Sequence, residues 1–247
     1  MSQKNTKLSK AANARLANYQ AKSTLIDSRK DVRRRDNLRA FVGIVIAGVI
    51  AVSAQAVYFN FGPGKPLPTK APADAPAASV AENRHWTGSM TVGGQKISFD
   101  LDGTKAPKAV ANFVTLAKKG FYQNLTCHRL TTSGIYVLQC GDPNGDGSGS
   151  AGYAFGPIEN APKDNVYPGG TIAMARMPND ANSMGSQFFI VYGSSFINSD
   201  TAGGYTVFGN VTQNLDAIRN IAKVGTSDGK TDGKPKNKVL LGDVTVK

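Results

Sequence analysis

An uncharged apolar run at residues 41–59 constrains this 247-residue chain more than any other feature. Its 19 residues read FVGIVIAGVIAVSAQAVYF. At about 1.5 Å per residue, a helix of this length spans roughly 28 Å, close to the ~30 Å hydrocarbon core of a bilayer. Tyr58 and Phe59 lie where interfacial aromatic side chains are expected. We therefore predict one transmembrane helix over residues 40–61 and a separate domain after it.

The charge before this run predicts its orientation. Residues 1–39 contain eleven Lys and Arg and three Asp, a net +8 out of the chain's +12. The positive-inside rule places such a segment in the cytoplasm and the residues after the helix outside. We interpret 1–39 as a basic cytoplasmic tail without a core pattern, whose charge suits anionic lipid rather than nucleic acid. The chain is thus expected to be a single-pass protein of the cell membrane.

A cleaved signal peptide is the alternative to a retained anchor. Ala54-Gln55-Ala56 has the small-x-small form of a cleavage site and follows an apolar run. The basic leader is longer than a usual signal-peptide n-region, however, and apolar residues continue beyond the site, which favours the anchor. Residues 62–83, rich in Pro and Ala, are predicted to form an extended linker.

Residues 84–247 are patterned as one folded domain. HWTGSMTV and QKISFDLDG read as two strands around the turn Gly93-Gly94, and further short strands follow along the chain. The segments APKAVANFVTLAKKGFY and NLDAIRNIAKVG have the helical period. Many short strands with two helices favour a mainly β fold, with a closed or nearly closed antiparallel barrel capped by helices.

Several familiar site patterns are incomplete. The stretch DPNGDG that starts at Asp142 resembles the beginning of a calcium loop, but position twelve is Tyr153 rather than Glu, and no helices flank it. The two histidines, His85 and His128, are too few for a multi-histidine metal site. No Gly-x-Ser-x-Gly elbow supports a hydrolase triad. We predict no metal and no cofactor.

Three segments carry the remaining signal: CHRLTTSGIYVLQCGDP (127–143), GTIAMARMPNDANSMGSQFFIVYG (170–193) and YTVFGNV (205–211). In this order they resemble the cyclophilin family of peptidyl-prolyl cis-trans isomerases, with its Phe-His-Arg, Gln-Gly-Gly-Asp, Met-Ala-Asn, Gly-Ser-Gln-Phe-Phe-Ile and Val-Phe-Gly-x-Val motifs. The resemblance covers nearly all of 84–247 and none of 1–83. It implies a closed eight-stranded antiparallel β-barrel with two helical caps, and cofactor-free catalysis of rotation about X–Pro bonds.

The resemblance also implies roles for individual residues. Arg129 matches the catalytic arginine, and Gln139 matches its polar partner on the adjoining strand. The positions that match substrate-binding residues are Tyr136, Val137, Ala175, Arg176, Gln187, Phe189, Phe196 and Tyr205.

The chain departs from the family pattern in four places. Nine residues separate Arg129 from Gln139, more than is usual, so the connecting turn is enlarged. Arg176 replaces a usual asparagine, at a position expected to act mainly through its backbone. Tyr205 replaces a common histidine, and either strand packing or ligand contact would explain it. The segment 194–204 lacks the usual tryptophan, and its Phe196 or neighbouring Ile replaces the pocket leucine.

These residue types suit the chemistry. Resonance opposes rotation about the peptide bond with a barrier of about 20 kcal/mol, yet no bond breaks, so neither a nucleophile nor a titrating base is needed. An apolar socket can grip the proline ring while Arg129 donates a hydrogen bond to the twisted amide nitrogen. Gln187 and Phe189 are two apart in a strand and share a face. Gln187 is therefore predicted to contact the neighbouring peptide group, and the alternative is that it joins two loops.

Cys127 and Cys140 are the chain's only cysteines, and they bracket the hairpin that carries Arg129 and Gln139. Facing antiparallel strands bring such a pair close together, and an extracytoplasmic location is oxidising. We predict a disulfide, with two buried thiols as the alternative.

We interpret the chain as a membrane-anchored bacterial prolyl isomerase. It is expected to be monomeric and to assist the folding of exported, proline-containing polypeptides. The alternative is a non-catalytic module that binds proline-containing segments at the membrane. The presence of Arg129 favours the enzyme, whereas the altered segment 194–204 is compatible with a binding module.

Overall fold

The computed structural model describes residues 74–247 and eight isolated positions between residues 15 and 42 (15, 18, 19, 22, 37, 38, 41 and 42). Contacts between Cα atoms divide the chain into two units, Met1–Thr69 and Lys70–Lys247. Apart from Phe41 and Val42, the predicted transmembrane helix lies outside the described residues, as do most of the predicted tail and linker. Within the described part, no helix combines the length and apolar character needed to cross a bilayer.

The domain is mainly β, as predicted, and contains two α-helices. Its strands are β1 (His85–Val92), β2 (Gln95–Asp102), β3 (Arg129–Thr131), β4 (Val137–Cys140), β5 (Val166–Tyr167), β6 (Thr171–Met174), β7 (Phe188–Val191), β8 (Ser195–Phe196), β9 (Val207–Gln213), β10 (Asp232–Gly233) and β11 (Leu241–Val246). The helices are α1 (Pro107–Lys118) and α2 (Asp216–Val224), and Ala78–Ala81 form a 3-10 turn.

Nine strands form one curled antiparallel sheet in the order β10-β3-β4-β7-β6-β9-β2-β1-β11, and β5 pairs with β8 separately. The predicted closed eight-stranded barrel is therefore wrong, because the ladder has nine strands and ends at β10 and β11. A single bridge between Thr126 and Leu240, together with a 2.9 Å hydrogen bond from Cys127 N–H to Val239 O, links the segments that enter β3 and β11. Apolar patterning could not reveal β10, which consists of one Asp and one Gly.

The main core lies between the curled sheet and α1. The hairpin of β1 and β2 turns at Gly93 and Gly94, both at positive φ (57° and 81°), as the predicted turn requires. Pro107 begins α1, where its missing N–H costs nothing. Phe113 on the buried face of α1 packs 5.7 Å from Phe99 and 5.4 Å from Phe188, measured between ring centroids.

The 3-10 turn belongs to the packed domain, although we assigned it to the linker. Ala81 is fully buried, and the indole Nε1–H of Trp86 donates a 2.9 Å hydrogen bond to the Ala81 carbonyl oxygen. The packed residues of this turn thus lie before the predicted domain start at residue 84.

The central strands β4, β6 and β7 are buried on both faces. On one face Leu138, Phe188 and Ile190 enter the main core. On the other, Val137 and Phe189 belong to a second, smaller apolar cluster. This two-sided burial explains why these strands read as continuous apolar runs rather than alternating ones. The second cluster forms the floor of the candidate site.

Candidate active site

Strand register brings four predicted or neighbouring site positions into one row. Arg129 on β3 pairs with Gln139 on β4, Gln139 pairs with Phe189 on β7, and Phe189 pairs with Ala173 on β6. Directly paired residues of antiparallel strands project from the same face of a sheet. The row therefore places a cation, an amide, an aromatic ring and a methyl group on one face of the sheet, and the surface over these four residues is the hollow of the candidate site.

The apolar end of this hollow is the second cluster. Its buried members are Val137, Tyr167, Ala173, Phe189 and Val191, and its partly buried members are Ile135, Ala175, Ile197, Tyr205 and Val207. Phe189 is 5% exposed and meets the Tyr205 ring edge-on, with centroids 5.5 Å apart and planes at 81°. Tyr205 thus packs on the socket wall, one of the two roles open from the sequence. Ala173 is fully buried and Ala175 partly buried, and each contributes only a methyl group to this cluster.

The polar end is organised by Arg129. Its Nη1 donates a 3.3 Å hydrogen bond to Oε1 of Gln139, as the predicted partnership requires. Its Nε and Nη2 donate to Oδ1 and Oδ2 of Asp232 at 2.8 and 2.7 Å. These hydrogen bonds raise the pKa of Arg129 and lower that of Asp232. Arg129 therefore presents a fixed positive charge at the edge of the hollow.

Gln187 holds Gln139 in place. Its Nε2 donates to the carbonyl oxygens of Gly147 and Gly149 at 2.9 and 2.8 Å. Its Oε1 can then only accept, and it accepts a 2.9 Å hydrogen bond from Nε2 of Gln139. The Oε1 of Gln139 is consequently turned toward Arg129. Gln187 thus joins two loops, and it also lines a cavity of about 340 Å³ with Gln139 and Ala175, so its direct contact with substrate stays a prediction.

The loop that receives Gln187 is built on Asp142. Its carboxylate accepts hydrogen bonds from the backbone N–H groups of Asn144, Asp146, Gly147 and Gly149. Burial raises the pKa of this carboxyl, but these N–H groups outweigh it and hold the pKa below its usual value. The carboxylate faces hydrogen-bond donors, so it organises a turn and not a calcium site. Within residues 74–247, no cluster of three metal-ligating side chains was found.

Arg176 has a structural role that the sequence did not indicate. Its side chain is fully buried, and Nη1 and Nη2 donate to the Asp200 carboxylate at 2.8 and 2.9 Å. Its Nε donates to the Gly204 carbonyl oxygen at 3.0 Å, and the guanidinium carbon lies 4.7 Å from the Tyr205 ring centroid. The expectation that this position works mainly through its backbone is therefore incomplete, because the side chain fixes the loop that carries Tyr205.

Two predicted pocket residues lie outside the hollow. Tyr136 packs against Tyr192, with ring centroids 5.8 Å apart, and lines a separate cavity of about 390 Å³. It precedes Val137 in the chain, so alternation sends its side chain to the opposite face, whereas Ile135 shares the face of Val137. Phe196 is 57% exposed. The neighbouring Ile197 packs on the cluster and resolves the choice that the sequence left open.

Cys127 and Cys140 form the predicted disulfide. Both residues are completely buried. The bridge joins the residue two positions before Arg129 to the residue directly after Gln139, so it links the two strands that carry the polar end of the site.

Sequence reasoning missed Asp232, Ala173 and Tyr167. Asp232 is 103 residues from Arg129 and lies in a loop rich in Lys, Gly and Asp, where one acid carries no distinguishing signal. Ala173 could have been found, because it is two residues before Ala175 on a predicted strand. No motif marks Tyr167 in the sequence. Its hydroxyl oxygen accepts a 2.8 Å hydrogen bond from the Tyr205 N–H.

Comparisons with known proteins agree with this geometry. The family model for cyclophilin-type peptidyl-prolyl cis-trans isomerases matches residues 88–246. The chain is 41% identical to the probable peptidyl-prolyl cis-trans isomerase B of Mycobacterium tuberculosis, over 72% of this chain and 58% of that protein. It is 39% identical to peptidyl-prolyl cis-trans isomerase B of Bacillus subtilis, over 52% of this chain and 85% of the relative.

The fold comparison gives the same answer. A crystal structure of a cyclophilin-type isomerase from Cryptosporidium parvum superposes with a TM-score of 0.57 and 27% identity, covering 66% of this chain and 98% of that one. A second crystal structure of that protein was obtained in the presence of the dipeptide Ala-Pro. The alignment spans only 58% of the length of the mycobacterial relative. On the family match, the relatives and the fold together, the chain belongs to the cyclophilin-type peptidyl-prolyl cis-trans isomerase family.

Proposed function

We propose that the domain catalyses cis–trans isomerisation of X–Pro peptide bonds. One observation carries the proposal: Arg129 on β3 and Phe189 on β7 both lie opposite Gln139 on β4, so the guanidinium and the ring project from one face of the sheet. The Ala-Pro dipeptide named for the Cryptosporidium relative supports the same class of ligand. The substrate is a proline-containing segment of a polypeptide.

The apolar end of the hollow grips the proline ring. Val137, Phe189 and Ile197 bring aliphatic and aromatic side chains from three separate segments into the second cluster. Binding the ring fixes one side of the X–Pro bond while the preceding residue remains free to turn. The socket therefore holds the axis of rotation without resisting the rotation itself.

Arg129 then favours the twisted state. As the bond rotates out of plane, resonance is lost and the amide nitrogen regains a lone pair, which can accept a hydrogen bond. A planar amide nitrogen offers no such lone pair, so the interaction stabilises the transition state more than the ground state. Lowering the barrier by about 7 kcal/mol would accelerate the reaction about 10⁵-fold.

An isomerisation assay tests this proposal against the non-catalytic binding module. We expect the full-length chain to accelerate isomerisation of an Ala-Pro peptide and Arg129→Ala to lose about 100-fold or more in kcat/KM, the usual cost of removing one transition-state donor. Arg84→Ala is the matched control, since the Arg84 side chain is 42% exposed like that of Arg129 and pairs with an acid, Glu82, at 2.8 Å, but it lies directly before β1, six strands from β3 in the sheet order. Equal rates for wild type and Arg129→Ala would contradict the proposal and leave only the binding module.

We further propose that the domain lies on the extracytoplasmic side of the membrane and acts on exported polypeptides. The uncharged run at 41–59 and the basic residues before it support this topology, and the Cys127–Cys140 bridge suits an oxidising compartment. Apart from its first two residues, the run lies outside the described residues. Protease treatment of intact spheroplasts should remove the domain and leave a short membrane-bound tail, whereas full protection of the domain would contradict this topology.

A further inference from the structure

We propose that Asp232 is a positioning residue for Arg129, holding the guanidinium in the orientation that meets the rotating amide. The inference rests on the proposed isomerase function. It assigns a role to a residue that neither the motifs nor the strand pattern singled out, in a loop next to the site.

Asp232 makes the two shorter of the three hydrogen bonds that hold the guanidinium. The bonds from Nε and Nη2 of Arg129 to Asp232 measure 2.8 and 2.7 Å, whereas the bond from Nη1 to Gln139 measures 3.3 Å. A carboxylate that accepts from two nitrogens of one guanidinium fixes the plane of the group as well as its position. Without Asp232, one long bond to Gln139 would remain, and the 42%-exposed side chain could turn into solvent.

Backbone pairing delivers Asp232 to this position. On β10, Asp232 lies opposite Thr131 of β3, and Thr131 is two residues from Arg129 on the same face. Asp232 and Arg129 are therefore diagonal neighbours, a separation that a long side chain bridges. The N–H of Thr132 donates a 2.8 Å hydrogen bond to Thr231 O and so extends the pairing by one residue.

The loop that carries Asp232 is closed on itself. The N–H of Ser227 donates to Lys234 O at 2.8 Å, and the N–H of Lys236 donates to Gly225 O at 2.9 Å. These bonds join the two ends of the segment 225–236, so β10 is held on both sides. Asp232 is thus placed by backbone structure and does not depend on Arg129 for its location.

The pairing leaves donors free for substrate. A guanidinium has five N–H bonds, and the contacts with Asp232 and Gln139 use three of them among the described residues. The two that remain are one on each terminal nitrogen. Asp232 can therefore orient Arg129 without consuming the hydrogen bond that the twisted amide requires.

The pair is a poor candidate for a purely stabilising role. The side chains of Arg129 and Asp232 are 42% and 52% exposed, and exposed ion pairs contribute little to folding. Removal of Asp232 should consequently leave the melting temperature nearly unchanged. Its effect should appear in the orientation of Arg129 and in turnover.

The test compares Asp232→Ala, Asp232→Asn and Asp232→Glu in the full-length chain, using an Ala-Pro peptide as substrate. We expect Asp232→Ala to lower kcat/KM about ten-fold, less than the roughly 100-fold cost of a 1 Å misplacement, because Gln139 still holds one nitrogen. The peptide Kd, measured by NMR titration, should change less than about two-fold, so that the loss lies in kcat. Asp232→Glu keeps both oxygens and should recover most of the rate, whereas Asp232→Asn should fall between.

A spectroscopic signature makes the test independent of activity. The Nε–H resonance of Arg129, assigned by its loss in Arg129→Lys, should exchange slowly with water in the wild type and broaden in Asp232→Ala. Asp216→Asn is the matched control, because it breaks the exposed Asp216–Arg219 pair (2.9 Å) on α2 and should change neither the Arg129 resonance nor the rate.

Three results would overturn the inference. The first is an unchanged rate in Asp232→Ala, and the second is a faster rate, which would mean that Asp232 competes with substrate for Arg129. The third is an Arg129 resonance that Asp232→Ala leaves unaltered. A wild-type chain that binds the peptide without isomerising it would instead refute the proposed function, and the resonance would still report whether Asp232 holds Arg129.

Discussion

Reduction of the Cys127–Cys140 bridge should weaken the fold by an amount that its loop length predicts. The bridge closes a loop with a sequence separation of 13 residues. In the chain-entropy model, a loop of this length stabilises the folded state by about 3 kcal/mol. For a domain of this size, each kcal/mol corresponds to roughly 2–4 °C in Tm, so Tm should fall by roughly 6–12 °C.

The reduced domain should still fold, because domains of this kind have stabilities of about 5–15 kcal/mol. Its activity should fall as well, since the bridge holds β3 against β4 and with them Arg129 and Gln139. The assay is denaturant unfolding of the full-length chain, refolded with and without reductant, alongside kcat/KM on a proline peptide. Because both sulfurs are buried, reduction must be carried out in the unfolded state.

The control is the double variant Cys127→Ala/Cys140→Ala, in which reductant should change neither stability nor rate. An unfolding midpoint that is identical for the oxidised and reduced wild-type chain would refute the reasoning. Reduced protein with full activity but lower stability would separate the two claims and refute only the role of the bridge in holding the site.

The remaining predictions concern the socket and the pH dependence of stability. Phe189→Leu should raise KM for a proline peptide roughly ten-fold, since it loses about 1–2 kcal/mol of aromatic contact with the ring, as measured by steady-state kinetics. Tyr136→Ala should change kcat/KM less than about two-fold, because its ring lies outside the hollow, and a loss as large as that of Phe189→Leu would contradict the assignment. Burial lowers the pKa of His128 more than Asp142 raises it, so the unfolded chain binds the proton first as pH falls. Unfolding free energy should therefore be highest above the usual histidine pKa of 6.5 and fall as pH drops through the lowered pKa of His128. The pKa of His85 is raised, so His85 contributes to the pH dependence of stability with the opposite sign, and the comparison is made in a His85→Asn background. In that background, His128→Asn should flatten the dependence of the unfolding free energy on pH.

The site could be predicted where side-chain alternation and motif order agree. Arg129, Gln139, Val137 and Phe189 were assigned from short motifs, and strand register brings them to one face. At Tyr136 the two signals disagree, because the motif match assigns this residue to the pocket whereas the period of two places it on the opposite face from Val137. The structure places its ring against Tyr192, and its contact with substrate stays a prediction.

Long-range pairing explains what the sequence could not show. Asp232 reaches Arg129 only because β10 pairs with β3, and a two-residue strand of Asp and Gly has no apolar pattern. The contact between the segment before β3 and the segment before β11 is likewise long-range, through the bridge of Thr126 to Leu240 and the backbone hydrogen bonds beside it. Local periodicity predicts elements, whereas these features depend on contacts between segments about 100 residues apart.

The hydrogen-bond partners of buried polar side chains are also hard to predict from the sequence. Arg176 was judged from the backbone role of its position, yet its side chain is buried against Asp200 and beneath Tyr205. A buried arginine requires a paired acid, and the sequence offers many acids without indicating which one lies nearby. Gln187 illustrates the same point, because its hydrogen bonds to the carbonyl oxygens of Gly147 and Gly149 depend on a loop about 40 residues away that the local sequence does not indicate.

The most direct measurement of the central claim is the exchange rate between cis and trans forms of a proline peptide while it is bound. NMR exchange spectroscopy at saturating protein measures this rate apart from affinity. We expect the wild-type chain to bind the peptide and interconvert its isomers rapidly, and Arg129→Ala to bind with a similar Kd and interconvert them about 100-fold more slowly. Bound peptide that exchanges equally fast in both proteins would contradict the account that Arg129 stabilises the twisted amide.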